Sequence, residues 1–145
     1  MNYLETKLDE VWRYIVKAPG KCLFCPERQN LEAHHIFGGR WRSVWFFRWT
    51  PIFGVPLCVE HHKAAHHNKQ EFWLKLEVAL EGEERWSVIC RYRESKVIIP
   101  EQPDLKILLA DLKKQAAVIE ETNYMDLEVD GEYRGRDADG NEYPF

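Results

Sequence analysis

The chain has 145 residues, 45% of them hydrophobic and 30% charged, with a formal net charge of -4. That length fits one domain with a short appendage, and the apolar share is enough for a core. The acidic balance excludes a strongly basic nucleic-acid binder, so any phosphate contact has to come from a local patch rather than from the overall field.

The first residues, Met1 to Lys7, lack the basic start and apolar run of a secretory signal, and no apolar stretch is long enough for a bilayer. The expectation is a soluble, cytoplasmic protein with no membrane partner. Its four cysteines then favour metal over disulfides.

Residues 3 to 17 are predicted helical, because Leu4, Leu8, Val11, Trp12 and Ile15 recur at helical spacing and Pro19-Gly20 stops the run. Cys22-Leu-Phe-Cys25 follows as a tight turn with two thiols. Residues 31 to 36 read as a short strand, 37 to 52 as a long loop rich in Gly, Arg and Trp, and 54 to 57 as a second strand. Cys58 opens a helix to about His67. Asn68 with Glu71 starts another, near 69 to 81, with Phe72, Trp73, Leu76 and Leu80 on its apolar face. A shorter helix is expected around Trp86 to Tyr92.

Pro100 and Pro103 mark a linker, after which Asp104 caps a helix to about Glu121. Leu105, Leu108, Leu109, Leu112 and Val118 are its expected buried side. Asp126 to Phe145 is acidic and Gly-rich, either a weak hairpin or a disordered tail. The chain thus divides into an N-terminal helix (1–19), a core (20–75), C-terminal helices packed on that core (76–122) and an acidic tail (123–145).

All six histidines, His34, His35, His61, His62, His66 and His67, fall within one short window, and Cys22, Cys25 and Cys58 lie in or next to it. Two sites follow from the spacing. Cys22-x-x-Cys25 and Cys58-x-x-His61 form two knuckles, each able to supply half of a tetrahedral zinc site. Such a staple suits a small domain with a long central loop. The alternative is a set of buried free cysteines. Cys90 matches neither knuckle and is expected to be a core thiol.

His62-x-x-x-His66 puts two rings on one helix face, which suits chelation of a divalent ion. Standing alone, the pair would read as solvated surface histidines. His34-His35 ends a strand, where neighbouring side chains point to opposite faces. One ring can join a metal while the other faces a substrate. His61 and His62 could exchange roles between the sites, and His67, about 100° further round the helix, is expected at the surface.

Arg40, Arg42 and Arg48 are interleaved with Trp41, Trp45, Phe46, Phe47 and Trp49. Such arginines are candidates for nucleic-acid phosphate contact. The aromatics read either as stacking platforms or as local core under the loop. Lys63 and Lys69 could extend the positive rim but read more simply as solvated surface.

The run Cys22-x2-Cys25, Glu32-Ala-His34-His35-Ile36-Phe-Gly, Arg48-Trp-x-Pro and Gly54-Val-Pro-Leu-Cys58-x2-His61-His62-x3-His66 resembles the HNH endonucleases, small phage-type members above all, over about residues 20 to 75. The resemblance implies an α+β fold with a ββα-metal core, two strands and a helix, surrounded by additional helices. It implies His34, His62 and His66 as ligands of a catalytic divalent ion and His35 as the catalytic general base. It also implies Cys22, Cys25, Cys58 and His61 as a structural zinc site, His61 standing where a fourth cysteine is more usual. Where the family carries its central asparagine, nine residues before the first helix histidine, this chain has Phe53. That side chain cannot make the asparagine's hydrogen bonds. Another group takes over the bracing, packing of Phe53 against Trp45, Phe46 or Trp49 replaces it, or catalysis is weakened.

The expected function is therefore metal-dependent hydrolysis of DNA, double-stranded for preference, leaving 5′-phosphate and 3′-hydroxyl ends. The expected cofactors are a structural zinc and one catalytic Mg, Mn, Ni or Zn ion. Activity should fall below about pH 6.5, where histidine protonates. The alternative is a non-catalytic zinc module on the same scaffold that binds nucleic acid or protein. A phage-encoded member would act in the host cytoplasm, with packaging or recombination proteins as further partners.

Overall fold

The computed structural model describes residues 2–94 and 98–129, with side chains through residue 122. It is an α+β fold with six α-helices and one two-stranded antiparallel sheet among the described residues. The chain falls into two compact units, residues 19–102 and a second one formed by residues 1–18 with 103–145. No helix among the described residues is long and apolar enough to cross a membrane.

In the second unit, helix α1 (Tyr3–Lys17) pairs with helix α6 (Leu105–Val129). A capping box starts α1: the Asn2 side chain accepts from the Glu5 N–H at 2.8 Å, and the Glu5 carboxylate accepts from the Asn2 N–H at 3.1 Å. Leu8, Val11, Trp12 and Val16 form its buried stripe. At α6 the Asp104 carboxylate accepts from the Lys106 N–H at 2.8 Å, as an N-cap does. The buried face is Leu109, Leu112 and Ala116, a three–four spacing, and Val118 lies outside it, 62% exposed. Val118 was expected on the buried side; two residues past Ala116, it has turned about 200° round the helix.

The helix also continues through residues 123–129, past the expected end near Glu121. The hairpin or disordered tail expected of residues 130–145 lies outside the described residues. Helices α4 (Lys69–Leu80) and α5 (Glu84–Arg93) belong to the unit of residues 19–102, and α6 belongs with α1.

In the larger unit, β1 (Glu32–His35) pairs with β2 (Gly54–Leu57) in the register Glu32–Leu57, Ala33–Pro56, His34–Val55 and His35–Gly54. Two strands this short are not stable alone. They are held by what surrounds them. The Leu23 N–H donates to the Pro56 carbonyl at 2.9 Å, and the Ile36 N–H donates to the Phe53 carbonyl at 2.9 Å. The thiol-bearing turn thus binds one end of the sheet and the close of the long connection binds the other.

That connection is not irregular. Residues 39–43 and 51–53 form 3₁₀ turns around a short helix, α2 (Trp45–Trp49). Its aromatics divide: Phe47 and Trp49 are buried, Trp45 and Phe46 are half-buried, and Trp41 is 38% exposed. Helix α3 (Val59–His67) follows β2 with Cys58 at its N-cap position, and Asn68 then caps α4 by accepting from the Glu71 N–H at 3.0 Å.

Phe53 is fully buried at the centre of an aromatic cluster, with ring centroids 5.2 Å from Phe47, 5.3 Å from Phe46, 5.4 Å from Tyr92 and 5.5 Å from Phe37. Edge-on pairs of this kind add to the stabilisation from burial alone. Phe53 therefore braces the connection by packing. Phe53→Asn is expected to destabilise the protein by about 3–5 kcal/mol, through the cavity left and the polar group buried. Urea unfolding of the variant checks this; an unchanged midpoint would refute it.

Candidate functional site

Two groups of side chains come together at the junction of β1, β2 and α3. Cys22, Cys25, Cys58 and His61 form one, and His34, His62 and His66 form the other; within each group the ligand atoms all lie within 4.8 Å of one another. The spacing of two helix residues separates them. His61 and His62 are adjacent on α3, about 100° apart, so one ring faces the thiols and the next faces β1.

The cysteine group is built by a folded-back turn. The Cys22 N–H donates to the Glu27 carbonyl at 2.8 Å, closing the loop around Leu23, Phe24 and Cys25. Cys58 lies directly across, at the start of α3. The Cys25 and Cys58 sulfurs are 3.9 Å apart, and the His61 Nδ1 stands 3.2 Å from the Cys58 sulfur and 3.6 Å from that of Cys22. Bond lengths of about 2.3 Å to sulfur and 2.0–2.1 Å to nitrogen around a tetrahedral zinc give edges of about 3.8 Å for sulfur–sulfur and about 3.6 Å for sulfur–nitrogen. The four ligands therefore fit zinc. All four cysteines of the chain are free thiols.

Burial works against the Cys22 thiolate, but backbone N–H groups of Cys58 and Phe24 and the neighbouring thiols outweigh it and hold Cys22 below the ordinary thiol range. At Cys25 the Glu27 backbone favours the thiolate. Burial and the Cys22 and Cys58 thiols override it and push the group up. Cys90 lies on α5, outside the cluster, and burial raises its thiol.

The histidine group is a near-equilateral triangle, with ring centroids 5.0 Å apart for His34–His62, 5.1 Å for His34–His66 and 4.8 Å for His62–His66. His34 is buried at its base, against the Phe72 ring at 4.8 Å; His62 is half-buried, and His66 is exposed. The triangle thus opens to solvent on one side. Phe24 links the two clusters, edge-on to both His61 and Phe72.

Burial is the main cause that pushes His34 down to about 3, and the His62, His66, His35 and Arg42 charges add to it. His66 is lowered for the same reasons, burial first, then His62, Arg42, Lys69 and His67. The sign of the effect on stability follows. The unfolded chain takes up a proton at His34 as the pH falls through 6.5, whereas the folded chain resists until about 3. The stability from a neutral His34 is whole above pH 6.5 and is lost between there and about pH 3. Urea midpoints of the metal-free protein are expected to fall through that window, and His34→Gln to flatten the slope. Equal slopes in the two proteins would contradict the assignment.

His35 is not part of the triangle. Its Nε2 lies 3.1 Å from the backbone carbonyl of Arg48, on α2. A carbonyl only accepts, so this contact places the proton on Nε2 and leaves Nδ1 with the lone pair. Of the arginines singled out in the sequence, Arg42 acts on the triangle, since its charge bears on both His34 and His66. Arg40 stacks over Trp41 at 5.0 Å and Arg48 over Trp49 at 4.6 Å. His67 is exposed and joins neither cluster.

Two contacts at the site carry no marker in the motif spacing. One is the Arg48 carbonyl, a backbone group. The other is Glu32, whose carboxylate lies 3.3 Å from the His62 Nδ1. Strand alternation offered a signal for Glu32, because residues 32 and 34 share one face of β1.

Comparison with protein-family models, with curated proteins and with solved structures finds no match to this chain.

Proposed function

We propose that the protein is a metal-dependent DNA endonuclease of the HNH kind, hydrolysing phosphodiester bonds with His35 as general base. The observation that carries the reading is the convergence of His34, His62 and His66 beside a histidine whose proton is already directed to a backbone carbonyl. The order strand, strand, helix in β1, β2 and α3 is that of a ββα-metal core, and the Cys22, Cys25, Cys58 and His61 group suits its structural zinc.

His34, His62 and His66 are the residues that would hold the catalytic ion. The His62 and His66 Nε2 atoms are 3.1 Å apart, which with bonds of about 2.0–2.1 Å to one metal subtends an angle of about 95–102°, between octahedral and tetrahedral. A divalent cation held there would stabilise the charge that builds on the scissile phosphate and the departing 3′ oxygen. His35, with its Nε2–H given to Arg48, offers Nδ1 to take a proton from the attacking water. Arg42, exposed beside the triangle, offers a phosphate contact on a chain whose net charge gives no general attraction to DNA.

Plasmid nicking in the presence of Mg, Mn, Ni or Zn tests the proposal. Relaxed circles with at least one metal and none in chelator are expected. Supercoiled plasmid left intact under every metal would favour the second reading, a zinc-containing module that binds nucleic acid or protein without turnover. The net charge of -4 is the observation on that side.

A further inference from the structure

We propose that Glu32 is a positioning residue: it fixes the tautomer and ring orientation of His62 so that the Nε2 lone pair faces the point where His34 and His66 converge. The inference rests on the metal-site reading of that triangle.

The geometry runs from the strand outward. Glu32 and His34 share a face of β1, and Glu32 is paired with Leu57, the residue just before Cys58. That register sets Glu32 beside the first turn of α3, where the His62 N–H donates to the Cys58 carbonyl at 2.8 Å. The Glu32 Oε2 lies 3.3 Å from the His62 Nδ1, and on the other side of the same ring Nε2 lies 3.1 Å from the His66 Nε2.

A carboxylate only accepts, so the contact requires a proton on Nδ1. A neutral imidazole carries one ring proton, which leaves Nε2 bare, the form a metal binds. Without Glu32 the ring is free to carry its proton on Nε2, where it would point into the triangle and block it. Metal-bound histidines commonly have an outer acceptor of this kind, and its loss typically weakens metal binding by about 10–100-fold. Glu32 is exposed, so its replacement removes nothing from the core.

The test uses the full chain carrying one equivalent of zinc, which fills the cysteine site, and compares wild type with Glu32→Leu and Glu32→Gln. Long-range ¹H–¹⁵N correlation spectra at pH 8 read the His62 tautomer, and calorimetric titration with zinc reads the second site. The wild type should show the Nδ1–H form and take up a second equivalent. Glu32→Leu should shift toward the Nε2–H form and bind that equivalent about 10–100-fold more weakly. Glu32→Gln, which keeps an acceptor oxygen, should restore the tautomer and part of the affinity.

An Nε2–H form in the wild type overturns the proposal. So does a Glu32→Leu protein with unchanged tautomer and affinity, and that result leaves the metal reading standing. A wild type that takes up no second equivalent overturns the metal reading itself, and the proposal with it.

Discussion

On the proposed mechanism, His35→Ala is expected to reduce DNA cleavage by about 10²–10⁴-fold, the range a positioned general base contributes, while both Cys/His clusters persist. The separation is physical. His35 contributes no atom to either cluster, and its ring is half-buried against the connection between the strands. The Arg48 carbonyl lies 3.1 Å from its Nε2 and holds the proton there.

Alanine removes the base and leaves that carbonyl to water. His35→Asn is the more informative companion, because its amide can still donate to Arg48 but is too weak a base to take a proton from water. Both variants should melt near the wild type and carry the same zinc. Nicking at wild-type rate by either variant would remove His35 from the mechanism, and an equal loss of zinc would show that its role is structural.

Cys58→Ser should have the largest effect on stability. Cys58 closes β2, occupies the N-cap position of α3 and stands between the Cys25 sulfur and the His61 ring. A zinc held there ties the thiol turn, the sheet and the helix together at one point, and for small zinc sites the binding free energy is largely folding free energy. Purified wild type is expected to retain about one tightly held zinc per chain. Cys58→Ser should lose it, with a destabilisation of at least about 3 kcal/mol, which for a unit of this size lowers the melting temperature by roughly 12–24 °C. Cys90→Ser, outside the cluster, is the control and should keep its zinc. Wild type without bound zinc under reducing conditions, and indifferent to chelator on heating, would refute the assignment.

Where the sequence-based reading and the fold part company, the cause lies in packing. The 37–52 stretch read as loop because its Gly and Arg residues break any regular apolar period. Three short helical turns form there because Phe37, Phe46, Phe47 and Phe53 share a core with Tyr92, which lies far along the chain on α5. Val118 read as buried because it is apolar, although it lies on the face opposite Leu109, Leu112 and Ala116. The buried stripe passes through Ala116 instead. Glu32 lay within the quoted motif without a role, because a carboxylate on a strand acquires one only from the helix residue placed beside it.

The sequence by itself determined the local features: the helix and strand types, the Asn68 and Asp104 caps, the shared face of His62 and His66, and the two thiol spacings. These follow from backbone periods of 3.6 and 2 residues, which act over one or two turns and need no knowledge of the chain path. Tertiary structure alone decided that Glu32 and the Arg48 carbonyl each claim one nitrogen of a histidine, and that α6 belongs with α1; it also brought His34 to the pair on α3, which local spacing could not do. Each of those contacts joins residues 13 or more positions apart. Which distant groups meet is set by how apolar surfaces pack, and no local period encodes it.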